Sequence, residues 1–346
     1  MEKAMLLLDA AFQVDANPLP GAAEVAKAAE ALGFAALWAP ETAHNPFLAL
    51  TIAAEHTQQL TIGTAVAIAF PRSPMVTAQI AWDLAGFSGG RFVLGLGTQV
   101  KAHIERRFSS VWDSPVGRLR DYIGALRAIW HCWQTGGKLD YRGQYYQHTL
   151  MTPFFSPGPI AHPDIPIYIA GVNTGLAHLA GEVCDGFHAH PLTSARYLRE
   201  VLRPQIAAGA TAAGRDPSAC AIAGSALVIT GNDKTERERM RAMVRQQIAF
   251  YASTPTYRAV LSCHGWDAVG EELSRLAAQQ RWAEMTGLID DTMVATFAVE
   301  ADPADLPAAL KERYEGLLDR VALYIPFIPG ERDDFWRHLT TSLNGR

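Results

Sequence analysis

The stretch Ser88-Gly89-Gly90-Arg91-Phe92-Val93-Leu94-Gly95-Leu96-Gly97-Thr98-Gln99 sets a turn, a short apolar run and a glycine-rich end in succession. Met75–Phe87 before it has helical spacing, and Leu60-Thr61-Ile62-Gly63-Thr64-Ala65-Val66 further upstream reads as a buried strand. One strand–helix unit therefore hands over to the next with almost no linker. Glycines at the carboxyl end of a buried strand let a flat ligand lie against backbone.

The same alternation fills the chain in both directions. Strands are expected at Ala4–Ala11, Ala35–Ala39, Leu60–Ala69, Phe92–Gly97, Ile165–Ala170, Gly186–His190, Ala221–Ile229 and Arg320–Pro326. Helical patterns occupy Ala22–Leu32, Phe47–His56, Met75–Phe87, Val116–Trp133, Leu176–Glu182, Ala195–Ala208, Lys234–Tyr251 and Pro307–Leu318. The strands are Val/Ile/Leu/Ala runs without polar alternation, as parallel strands covered on both faces require. Eight such units in 346 residues predict an α/β fold, a TIM (β/α)8 barrel in one domain. Two insertions break the rhythm. Residues 134–164, rich in Tyr, Gly and Pro, read as an extended hairpin or lid, and residues 252–300 read as extra helices.

Composition removes several function classes. A hydrophobic content of 49% with 19% charged residues excludes a disordered chain. A net charge of −5 provides no basic field for nucleic acid or anionic lipid. Cys132, Cys184, Cys220 and Cys263 are far apart and form no metal pattern, which suits free thiols in a reducing compartment. Neither a signal-peptide pattern nor a run of about 18 apolar residues is found. The expectation is a cytoplasmic protein with a small-molecule substrate and no metal, nucleic-acid or membrane partner.

Chemistry in such a barrel belongs at the carboxyl ends of the strands. Strand two is followed by Pro40-Glu41-Thr42-Ala43-His44. His44 is the candidate proton carrier, because imidazole is the side chain that exchanges protons near neutral pH. Glu41 is its rival, with a plainer role as partner of a neighbouring arginine. Gly97 ends strand four, and Thr98 and Gln99 follow it. Gly171-Val172-Asn173-Thr174 joins strand five to a helix, where free amides form an anion cradle. His188 and His190 share a strand face without a third metal ligand, so His190, beside Pro191, is assigned to a phosphate or a ring edge. Gly95-Leu96-Gly97 is no dinucleotide fingerprint, since Val100 stands at the third glycine position. The basic run Lys101–Arg107 is either a solvated helix start or an anion contact.

Taken together, Trp38-Ala39-Pro40-Glu41, Asn45-Pro46-Phe47-Leu48, Gly63-Thr64-Ala65-Val66, Arg72-Ser73-Pro74 and Ser88-Gly89-Gly90-Arg91-Phe92 resemble the bacterial-luciferase-like flavin/deazaflavin superfamily. Ile167-Tyr168-Ile169-Ala170-Gly171 and Cys184-Asp185-Gly186-Phe187 extend the match over nearly the whole chain. Gly97–Phe108 and Thr152-Pro153-Phe154-Phe155 are most similar to members assigned to the deazaflavin coenzyme F420. The resemblance implies a luciferase-like TIM barrel with the cofactor ring at the strand ends. It also implies a non-proline cis peptide at Ala65-Val66 beside the ring, and a phosphate on Gly171, Val172 and Asn173 with His190 and Pro191 nearby. The implied activity is that of an F420-dependent oxidoreductase, transferring a hydride between the deazaflavin C5 and an organic substrate. An FMN-dependent monooxygenase and a cofactor-binding barrel without turnover are the alternatives. A homodimer through outer helices is the family expectation. Many relatives carry Glu-His-His after strand two, from which Glu41-Thr42-Ala43-His44 departs.

Overall fold

In the computed structural model, which describes residues 6–13 and 16–345, eight parallel strand positions close into a barrel. In chain order the first are β1 (Leu7–Ala11), β2 (Ala36–Ala39), β3 (Thr61–Thr64), its continuation β4 (Ala67–Ile68), and β5 (Phe92–Gly97). A small antiparallel hairpin follows, β6 (Tyr141–Arg142) with β7 (Gln147–His148), inside the segment 134–164. The barrel resumes with β8 (Ile167–Gly171), β9 (Gly186–Ala189) and β10 (Ala221–Ile229). A short strand, β11 (Ala298–Glu300), is added on β10, and β12 (Arg320–Leu323) completes the circuit. β12 pairs with both β1 and β10, and β10 pairs with β9, which closes the ring.

Helices α1 (Ala22–Ala31), α2 (Pro46–His56), α3 (Pro74–Phe87), α4 (Lys101–Arg106), α5 (Pro115–Thr135) and α6 (Thr174–Val183) follow the first strands. Local sequence sets two of these starts. Asn45 Oδ1 accepts the Phe47 N–H at 3.0 Å and Ser73 Oγ accepts the Val76 N–H at 3.3 Å, each with proline at the first helical position. Among the described residues no helix is long and apolar enough to cross a membrane.

Three elements differ from expectation. The expected strand Leu60–Ala69 is interrupted at Ala65 and Val66, and β4 pairs only with β5. The expected helix Ala195–Ala208 contains a π-helical turn, Leu198–Leu202, and then runs to Ala212. Pro204, just beyond that turn, has no N–H to give to a regular ladder. The helix Asp333–Asn344 was not among the expected elements. It buries Trp336, Leu339 and Leu343, and its Asn344 holds β1: Oδ1 accepts the Leu8 N–H at 2.6 Å and Nδ2 donates to the Leu8 carbonyl at 3.1 Å. Residues 4 and 5 of the first expected strand lie outside the described residues.

Alternate residues of each strand face the barrel interior. The lower interior is filled by Trp38, Val93 and Tyr168, with a buried ion pair beside them. Asp9, 2% exposed, accepts from Arg320 Nε at 2.8 Å, from Arg320 Nη2 at 2.7 Å and from the Trp38 indole N–H at 2.8 Å. The His188 ring lies 4.9 Å from Trp38 and 5.3 Å from Tyr168. Nearer the carboxyl ends the inward positions are Ala11, Ala65, Ala170, Ser225 and Ala322, all small and all partly exposed. A filled layer thus lies beneath a layer of small, partly exposed side chains at the mouth.

The strand framework depends on Gly95. A Cβ there would stand 1.8 Å from the Thr64 carbonyl oxygen, in rigid backbone. Gly95→Ala is expected to cost at least about 1–3 kcal/mol, as overpacking does. Urea unfolding tests this: the midpoint falls with unchanged slope, whereas a wild-type midpoint contradicts it.

Candidate active site at the barrel mouth

The loop after β2 begins with Glu41, whose side chain is nearly buried against Arg72. Arg72 Nη2 donates to Oε1 at 2.6 Å and Nη1 donates to Oε2 at 2.8 Å. Oε2 also accepts the Ile68 N–H at 2.7 Å. Both carboxylate oxygens are thus engaged, the plainer of the two roles foreseen for this residue. His44, three residues on, is exposed at the entrance to α2. Arg107, in the basic run after β5, donates to the Thr42 carbonyl, so that run borders the same loop.

The wall facing the mouth between β3 and β4 is Ala65-Val66, joined by a cis peptide bond. A Cβ on Gly97 would lie 2.5 Å from Val66 Cγ2, so the glycine lets Val66 close in over the end of β5. Thr98 is buried, and Gln99 takes a left-handed φ of 59° with its Oε1 accepting the Val100 N–H at 2.9 Å. These two residues therefore fix the strand-to-helix turn with their own side chains.

Across the mouth, α6 begins at Thr174 with Asn173, Thr174 and Gly175 exposed. The N–H groups of Thr174, Gly175 and Leu176 lie in the first turn, where a helix supplies no partner. With the positive end of the helix they suit an anion. Asn173 Nδ2 donates to the Thr256 carbonyl at 3.0 Å instead of capping α6. Val172 is buried, its carbonyl accepting the Tyr197 hydroxyl at 3.1 Å. Gly171 is crowded from within: a Cβ there would meet Leu176 Cβ at 2.7 Å and Phe187 at 3.2 Å. Its lack of a side chain lets α6 start close to β8.

His190, followed by Pro191, lies between two tyrosines, with ring centroids 4.6 Å from Tyr251 and 4.4 Å from Tyr257. Its Nδ1 accepts the Leu192 N–H at 3.1 Å, so the neutral ring carries its proton on Nε2. Burial pushes the pKa of His190 down to about 4. Burial, reinforced by Arg320, pushes that of His188 down to about 3. The Tyr251 and Tyr324 hydroxyls meet at 2.5 Å beside His190.

The structure brings Ala65, Val66, Gly97, Thr98, Gln99, Gly171, Val172, Asn173, His190 and Pro191 to the carboxyl end of one barrel. Sequence reasoning missed Arg72, Tyr251, Tyr257 and Tyr324. Tyr251 ends a helical pattern and looks like core. Tyr324 lay inside the expected strand Arg320–Pro326, which the structure ends at Leu323.

The two histidines make stability depend on pH. In the unfolded chain a histidine titrates near pH 6.5, whereas in the fold these rings stay neutral down to about 4 and 3. Above pH 6.5 neither state holds the extra proton. As pH falls below 6.5 the unfolded chain binds protons that the fold refuses, so stability declines. Urea unfolding at pH 7.5, 6.5, 5.5 and 5.0 is expected to show this decline, flattened in a His188→Gln/His190→Gln variant. An unchanged slope in that variant contradicts it.

The family model for luciferase-like monooxygenases matches residues 4–320. An uncharacterized protein of Mycobacterium tuberculosis is 46% identical over 305 residues, covering 88% of this chain and 90% of that one. The 5,10-methylenetetrahydromethanopterin reductase of Methanolobus tindarius is 30% identical over 307 residues, covering 86% of this chain and 88% of the relative. The coenzyme F420 dependent tetrahydromethanopterin reductase from Methanopyrus kandleri shares the fold, with a TM-score of 0.78 over 99% of each chain at 21% identity. The chain belongs to the luciferase-like monooxygenase family.

Proposed function

We propose that this protein is an F420-dependent oxidoreductase that transfers a hydride between the deazaflavin C5 and a small organic substrate. The observation that carries the reading is the layer of small, partly exposed side chains at the barrel mouth, with the first-turn amides of α6 at one edge. A flat ring with an anionic tail fits those two features. The M. tindarius relative, a reductase by name, supports the choice of redox chemistry. The basic run Lys101–Arg107 at the rim supports an anionic tail.

In this reading Ala65 and Val66 back the ring, while Gly97, Thr98 and Gln99 border it. Gly171, Val172 and Asn173 shape the turn that presents the Thr174, Gly175 and Leu176 amides to phosphate. His190 donates from Nε2, and Pro191 fixes its turn. The bound deazaflavin supplies or accepts the hydride and, lacking nitrogen at position five, reacts poorly with oxygen. The tyrosines around His190 exclude water from that edge. His44 passes a proton between substrate and solvent from the exposed rim. Glu41, with both oxygens occupied by Arg72 and Ile68, does not.

The family description, luciferase-like monooxygenase, supports one alternative, a monooxygenase, for which FMN would be the cofactor. We also place a second copy of the chain on α2 and α3, helices apolar nearly all round that leave Leu48, Val76 and Phe87 exposed. The free cysteines fit the reducing cytoplasm.

Fluorescence titration with F420 and with FMN tests the cofactor choice. F420 is expected to bind more tightly, and added salt to weaken it through screening of the exposed basic run; equal affinities, or a preference for FMN, refute the reading. With any turnover substrate, His44→Gln is expected to lower turnover at least about tenfold and up to 10⁴-fold, with cofactor affinity nearly unchanged. Full activity in that variant removes His44 from proton transfer.

A further inference from the structure

Ala65 and Val66 form a wall of the mouth without a continuous strand ladder of their own, since β3 ends at Thr64 and β4 begins at Ala67. Backbone bonds hold part of the segment: Ala65 N–H donates to the Ala39 carbonyl at 3.0 Å, and Glu41 N–H donates to the Val66 carbonyl at 3.3 Å. Beyond it β4 is paired on one edge with β5, Ala69 N–H donating to the Gly97 carbonyl at 3.0 Å, and its other edge is held by side chains. Glu41 Oε2 takes the Ile68 N–H at 2.7 Å, and Arg72 Nη1 gives to the Ile68 carbonyl at 2.9 Å. The carboxylate and the guanidinium thus grip both polar groups of one residue, two positions beyond Val66, while bonded to each other twice. The guanidinium also sits 5.6 Å over the ring of Phe47 in the first turn of α2, tying the wall to the helix behind it.

We infer that Glu41 and Arg72 form a positioning clamp that sets where Ala65 and Val66 stand, and that Arg72 is a functional residue of this site without touching the reacting atoms. The cofactor-binding part of this inference rests on the proposed function; the mechanical part does not. A planar guanidinium is needed, because a lysine ammonium cannot reach both carboxylate oxygens and the Ile68 carbonyl with one rigid fork. Arg72→Lys therefore breaks the clamp while keeping the charge. Glu41→Gln breaks it from the other side. Since both remove one interaction, their effects do not add.

The test uses Glu41→Gln, Arg72→Lys and the double variant Glu41→Gln/Arg72→Lys, with hydrogen exchange and F420 titration on each. The Ile68 amide reports the clamp, and the Leu94 amide, bonded to the Pro166 carbonyl at 2.9 Å in the barrel, reports the fold. Each single variant is expected to speed Ile68 exchange at least about tenfold relative to Leu94. Each is also expected to weaken F420 binding about tenfold and shift the absorption of the bound deazaflavin, with the double variant no worse than the poorer single. Ile68 exchange unchanged relative to Leu94 in Arg72→Lys overturns the clamp. So does impaired binding confined to Glu41→Gln. Should Glu41→Gln fail to fold, Arg72→Lys alone decides by the same two readouts. A wild-type protein that binds no F420 refutes the cofactor reading, and Ile68 exchange then decides the clamp by itself.

Discussion

Thr64 Oγ1 accepts the Gly95 N–H at 2.9 Å and donates to the Gly95 carbonyl at 2.6 Å, with both residues inside the barrel wall. A threonine side chain here replaces the backbone ladder between β3 and β5, and glycine alone allows the approach. Above that contact the chain leaves the sheet, passes through Ala65 and Val66, and rejoins β5 as β4. The His188 ring uses the same missing side chain, since a Cβ on Gly95 would stand 3.2 Å from its Nε2. One small residue therefore governs the β3–β5 seam, the wall of the mouth and the floor beneath it.

The floor is unusual in chemistry as well as in shape. Barrel interiors are commonly filled by branched apolar side chains, yet here Asp9 and Arg320 pair inside the ring. Every carboxylate oxygen of Asp9 is bonded, and the guanidinium lies 5.7 Å over Trp38. A buried pair so fully bonded is tolerable, whereas removing either member leaves an uncompensated charge. Trp38 and Tyr168 lie beside it, their ring centroids 6.1 Å apart and their planes tilted by 35°. The inward residues nearer the carboxyl ends are small and partly exposed.

Much of this was legible in the sequence because the governing signals are local. Apolar runs of strand length separated by helical periods define the barrel, and Asn45-Pro46 and Ser73-Pro74 announce two helix starts. The glycines at 95 and 97 were read as positions where a flat ligand lies against backbone. What approaches them is the protein's own Thr64 and Val66, a fact that depends on register between strands. Arg72 could not be assigned to Glu41 from sequence, because the pair is 31 positions apart and joined only by the crossover of strand and helix. Gly171 carries a similar lesson: the turn was recognised, but the atoms that crowd it belong to Leu176 and Phe187. The last helix, Asp333–Asn344, carries apolar residues at helical spacing and was within reach of the same reasoning.

The central claim is that the mouth at the carboxyl ends of the strands receives a deazaflavin ring with its phosphate on the first turn of α6. A crystal structure of the protein soaked with F420 tests it most directly. The account predicts ring density against Ala65 and Val66, above Trp38 and His188, with phosphate oxygens on the amides of Thr174, Gly175 and Leu176. Ligand density outside the mouth, for example in the outer groove lined by Arg120, Tyr141 and Glu182, would contradict it.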